Sequence, residues 1–145
     1  MAKSPNMLTI RPGLKTSNVH AYDTAGHQRK QRFHRDGKVF LESLAKALRL
    51  SPGSYAITSN KGGMAVSGEV MLDADHLFVQ LSEVLQPGIS VLYRSRISRS
   101  DHMGGKNHWV SIEALQDPAA QLRFIEACRQ LMQEGAQRAA QRKAA

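Results

Sequence analysis

The sequence predicts an α+β fold: an antiparallel meander of four to five strands flanked by two helices and preceded by a flexible basic N-terminal arm. Three observations predict it. Apolar residues recur at helical spacing over 36–50 and 117–140. Between residues 55 and 113 they alternate with period two. The turns separating the alternating runs are short, and short turns join antiparallel strands, since a parallel pair needs a crossover of about a dozen residues or more.

Residues 1–34 read as the arm, with the basic run 28–35 alternatively the first turns of a helix that starts early. They are rich in Ser, Thr, Asn, Gln, His and basic side chains and show no sustained period. Such a stretch has little apolar area to offset its ordering entropy. Within it, residues 8–11 suit a short edge strand. Residues 35–140 are expected to form one α+β domain, and 141–145 a disordered tail.

The first helix is expected to start at Asp36, whose carboxylate can accept from first-turn amides. Leu41, Leu44, Ala45 and Leu48 make its apolar stripe, and Lys46 and Arg49 suit its negative C-terminal end. Ser51-Pro52-Gly53 stops it.

Strands follow. Tyr55 to Asn60 alternates and ends in the turn Lys61-Gly62-Gly63. From Val66 to Leu72, one face carries Val66, Gly68, Val70 and Leu72. Leu77, Val79 and Leu81 oppose Phe78, Gln80 and Ser82 in a third strand. After Gln86-Pro87-Gly88, Ile89, Val91, Tyr93 and Ile97 oppose Ser90, Leu92, Arg94 and Arg96. A fifth strand covers 109–113.

The closing helix is expected over 117–140, with Asp117 as its cap and Pro118 in its first position. Its stripe is Leu122, Ile125, Cys128, Leu131 and Met132. Beyond Gly135 it has nothing to bury and is expected to fray or lie on a partner.

Charge narrows the function classes. Twenty Lys and Arg face twelve Asp and Glu, a net charge of +8 and a pI of about 10.1. An excess of one sign attracts polyanions. No run approaches the roughly 20 apolar residues of a membrane span, and no signal-peptide core is present, so a cytoplasmic protein without a membrane partner is expected. Cys128, the single cysteine, reads as a small buried hydrophobe. No phosphate loop or metal-ligand spacing appears, so no cofactor and no metal is expected.

Two cationic clusters are the candidate nucleic-acid-binding residues. One is Arg94, Arg96, Arg99 and Lys106, where Arg94 and Arg96 share the polar side of a strand. The other is Arg29, Lys30, Arg32 and Arg35, followed by Lys38 and interleaved with Phe33 and His34. These nine hold nearly half of the twenty basic residues. The expected function is a nucleic-acid-binding accessory protein that contacts phosphates through the basic strand–loop surface, DNA and RNA both remaining open. The bland alternatives are charge that protects an edge strand and a solvated helix N-terminus.

Two further readings stand beside it. The loop over 98–108 holds His102 and His108, which with Arg96 would make a small metal-independent ribonuclease. Asp101 with the same two histidines is a poor metal set. Alternatively, in a protein-interaction module, the closing helix pairs with its copy in a homodimer or with a partner, and the positive surface meets an acidic protein. Trp109 is expected in the core, the alternative being a stacking platform at the rim of the basic face. Phe78 is expected either in the core or, on a wet sheet face, as a stacking surface for bases.

Overall fold

The computed structural model, which describes residues 7–84, 86–102 and 104–144, joins an antiparallel five-stranded sheet to two long helices. The elements are α1 (Thr24–Ala47), β1 (Tyr55–Asn60), β2 (Glu69–Ala74), β3 (Leu77–Ser82), β4 (Ser90–Ser95), β5 (His108–Ser111) and α2 (Pro118–Ala144). Single 3-10 turns lie at Pro12–Leu14 and Ala114–Gln116. Each strand pairs with its sequence neighbour in the order β1-β2-β3-β4-β5, so the meander is as expected.

Both helices pack on one face. The register places Ile57, Leu72, Val79, Tyr93 and His108 side by side in one row, with Ser59, Val70, Leu81, Val91 and Val110 in the next. These rows meet Phe33, Phe40, Leu41 and Leu44 of α1 and Phe124, Ile125 and Cys128 of α2 in one buried cluster. Burial of that apolar area is the main stabilising term, at about 25 cal/mol per Å² removed from water. The opposite face carries Ala56, Thr58, Met71, Phe78, Gln80, Leu92, Arg94 and Trp109, none of them in the cluster.

The helix begins twelve residues before the expected Asp36, at Thr24. Asp23 is the true cap, its Oδ1 accepting from the Gly26 amide at 2.7 Å. Gly26, Lys30, Phe33, His34 and Gly37 extend the buried stripe toward the N-terminus. Polar residues within that stripe hide its period, so residues 24–34 read as arm. Asp36 lies in mid-helix, buried, where its carboxylate accepts from the Gly13 amide at 2.9 Å and from Arg35 Nε at 3.0 Å.

Residues 8–22 also depart from a flexible arm. Leu8, Leu14 and Val19 are buried in the core. The Leu8 amide donates to Gln121 Oε1, the Thr9 amide to Ser43 Oγ, and the Asn18 and Val19 amides to Glu83. Residues 8–11 form no strand, because side chains satisfy these amides in place of a ladder. Residues 1–6 lie outside the described residues, as does residue 145.

Three smaller expectations change. The second strand starts at Glu69, after Gly68 turns the chain at φ 69°, and Val66 is exposed. Leu122 is exposed, and Gln121 and Phe124 take the buried face of α2. That helix runs on to Ala144, so residues 141–144 are helical. Its Gly135 fits against the end of the sheet, where a Cβ would meet the Arg96 carbonyl oxygen and His76.

Candidate nucleic-acid interface

The two cationic clusters do not meet. The turn between β2 and β3 and the end of β4 lie at the end of the sheet where β1 begins. There Arg99 Nε bonds Asp75 at 3.2 Å and Arg99 Nη2 bonds the Gly53 carbonyl. The N-terminal half of α1 lies at the other end, where Lys30 and His34 reach residues 59, 63 and 67. Arg94 also points to the face that α1 does not cover. A continuous cradle from both clusters is therefore absent among the described residues.

Several candidate cations have structural work. Arg96 was expected on the solvent side, yet it is 1% exposed. Its Nη1 pairs with Asp73 at 2.8 Å, its Nη2 donates to the Asp101 carbonyl at 3.2 Å, and its guanidinium lies 5.2 Å from the Phe78 ring centre. Strand parity put it on the correct face; Phe78, Asp73 and the following loop then enclose it. Lys30 is buried too, with Nζ on the Gly63 carbonyl at 2.8 Å, and burial near Lys61 lowers its pKa. Arg29 Nε donates to the Asn18 carbonyl at 3.3 Å. Arg35 is largely exposed while bonding Asp36, which raises its pKa.

Among the cations facing solvent, two groups bear on the candidate clusters. On α1, Arg32, Arg35, Lys38 and Lys46 are exposed along one side, and Arg49 is exposed just past its end. From Arg32 to Lys46 the helix rises about 21 Å at about 1.5 Å per residue. Glu42 is the one exposed carboxylate of α1, and it accepts from Tyr55 Oη at 2.9 Å. Sequence reasoning assigned Lys46 and Arg49 to the helix end alone; extending the helix backward from Asp36 would have put them in line with Arg32 and Arg35.

The second group lies at the β4–β5 side of the open face. Arg94 stacks over Phe78 at 4.9 Å, and among the described residues it has no ion pair. Lys106 and Asn107 are exposed in the adjoining loop. Trp109, expected in the core, is 38% exposed and sits opposite Leu92 in the register.

The two histidines of the loop have different surroundings. His108 stacks on Tyr93 at 5.4 Å, in the row that faces the helices. His102 is exposed. With Arg96 committed to Asp73, the three residues of the ribonuclease reading have separate surroundings. Among the described residues, no three His, Cys, Asp or Glu side chains gather as metal ligands. No helix of the described residues is long and apolar enough to cross a membrane.

A groove of about 690 Å³ opens between residues 14–17, 86–90 and 111–116, lined by Lys15, Thr16, Ser17 and Glu113 among others. It lies apart from both groups of free cations. No known protein family, curated protein or solved structure is matched by the chain.

Proposed function

We propose that this chain is a nucleic-acid-binding accessory protein whose phosphate contacts are made chiefly by the exposed side of α1. One observation carries the reading: Arg32, Arg35, Lys38 and Lys46 face solvent along a single rigid helix that exposes only Glu42 against them. This moves the contact surface from the strand–loop region, where Arg96 and Arg99 are held by carboxylates. A helix packed on a sheet fixes its outer side chains in one line, so ordering them costs less than ordering a free arm. Arginine forks suit phosphate oxygens, and each neutralised phosphate releases counterions.

The test is a salt titration of duplex binding with the parent and with an Arg32→Gln, Arg35→Gln, Lys38→Gln variant. Three lost phosphate contacts reduce the slope of log K against log salt by about 2.7, at about 0.9 per contact. Affinity falls alike on unrelated sequences. Equal slope and equal affinity in the two proteins would exclude α1 as the contact surface.

A further inference from the structure

The open sheet face presents an aromatic and guanidinium surface that α1 does not share. We infer that its β4–β5 side takes unpaired nucleobases: a single strand stacks on Trp109 and runs past Arg94, with phosphates against Arg94 and Lys106. This extends the nucleic-acid reading but rests on different residues, on the other side of the sheet.

Four observations support it. Trp109, 38% exposed, borders Leu92, which is only 8% exposed yet lies outside the main core. An exposed large ring beside an apolar neighbour, on a sheet face that neither helix covers, is a surface on which bases stack. Arg94 lies over Phe78 at 4.9 Å without an ion pair among the described residues; its Nε, like that of Arg96, is buried with no hydrogen-bond partner. Arg96, by contrast, is held by Asp73 on the same ring. Two guanidinium groups thus share Phe78, one paired with a carboxylate and one without an ion pair among the described residues.

The dimensions fit more than one base. Phe78 and Arg94 are register partners on neighbouring strands, and Trp109 is the partner of Leu92 on the next. Strand spacing of about 4.8 Å and rise of about 3.4 Å per residue put Phe78 and Trp109 roughly 12 Å apart at the backbone. Gln80 and Thr58 continue the Trp109 row with neutral polar groups. Such a lining favours contact with any base sequence over readout of one.

Trp109 is the only tryptophan of the chain, so its fluorescence reports on this surface alone. The experiment titrates the full chain with oligo(dT) of about 12 nucleotides, within the usual site sizes of single-strand binders. A duplex of equal length and heparin serve as controls. Oligo(dT) is expected to quench Trp109 strongly, the duplex weakly, and heparin not at all. Quenching by oligo(dT) persists in the Arg32→Gln, Arg35→Gln, Lys38→Gln variant.

Two variants complete the test, with binding of labelled oligo(dT) read by anisotropy and folding checked by the unfolding midpoint. Arg94→Gln and Trp109→Ala each weaken single-strand binding about tenfold and leave duplex affinity unchanged. Equal quenching by heparin or by the duplex, or unchanged oligo(dT) affinity in both variants, overturns the inference. Loss of duplex binding in the α1 variant with quenching retained supports both surfaces. If the two variants behave as expected and the α1 variant changes nothing, only the α1 reading fails.

Discussion

Arg96 and Asp73 form an ion pair of 2.8 Å in which the guanidinium is 1% exposed and the carboxylate 30% exposed. The arginine also donates to the Asp101 carbonyl, so the pair ties β2, β4 and the loop after β4 together. A charge taken out of water is costly unless it is paired and hydrogen-bonded. Removing one partner leaves the other without compensation.

Asp73→Ala therefore destabilises the fold by about 3 kcal/mol, which for a chain of this size lowers the melting temperature by about 8 °C. Arg96→Met combined with Asp73→Ala recovers part of the loss, because no charge is left buried. Calorimetry of the parent, Asp73→Ala, Arg96→Met and the double variant checks this. A double variant less stable than both single variants would refute the account.

This pair also shows what the sequence made legible. Period-two alternation located the strands and put Arg94 and Arg96 on the face opposite Val91 and Tyr93, as the register confirms for Arg94 and the Phe78 contact for Arg96. Alternation assigns a side chain to a face but does not reveal what else covers it. The enclosure of Arg96 by Phe78, Asp73 and a loop is a long-range arrangement. The early start of α1 was hidden for a related reason: Lys30, His34 and Asp36 occupy buried helix positions where a polarity pattern expects apolar residues. Of the candidate site, the cation-rich segments were visible; which cations bond to backbone or carboxylate was not.

Asp36 holds the preceding segment to α1 through the Gly13 amide. Asp36→Ala removes a buried charge-assisted acceptor, at a cost of about 2 kcal/mol. The loss is expected to be local before it is global. Hydrogen exchange over residues 8–15 should accelerate more than exchange over β2 and β3. Uniform acceleration throughout the chain would contradict this.

His34 is buried between Ser59 Oγ and the Ser67 carbonyl, each 2.8 Å from a ring nitrogen. The carbonyl requires Nε2 to donate, which leaves a neutral Nδ1 to accept from Ser59. Burial, aided by nearby Lys61, Lys30 and Lys38, outweighs the carbonyl bond and lowers the pKa from 6.5. The unfolded chain thus binds the proton more readily than the folded one. His34 contributes its full stability above about pH 6.5 and loses it as pH falls toward the depressed folded value. Unfolding midpoints from pH 8 to pH 5 should show this loss, and His34→Gln should flatten it. An unchanged pH profile in the variant would assign the loss to other groups.

Gly135 reverses a common expectation. Glycine to alanine in a helix interior ordinarily stabilises by about 1 kcal/mol. Here a Cβ would run into the Arg96 carbonyl and His76, so Gly135→Ala is expected to lower the melting temperature. An increase would mean that α2 shifts away from the sheet at little cost.

Cys128 is fully buried, and burial raises its thiol pKa, which suppresses the reactive thiolate. A thiol reagent should label it only as denaturant unfolds the chain, in step with loss of the helix signal. Rapid labelling in buffer would place the thiol near the surface.

The bond from the Leu8 amide to Gln121 spans 113 positions of sequence. Every strand pairing, by contrast, joins neighbours along the chain. Closing a long loop costs more entropy than closing a hairpin, so the meander and α1 can assemble while Leu8 still lacks its acceptor. During synthesis that acceptor leaves the ribosome only after all five strands have emerged. The Leu8 amide is therefore expected to meet its acceptor late in folding.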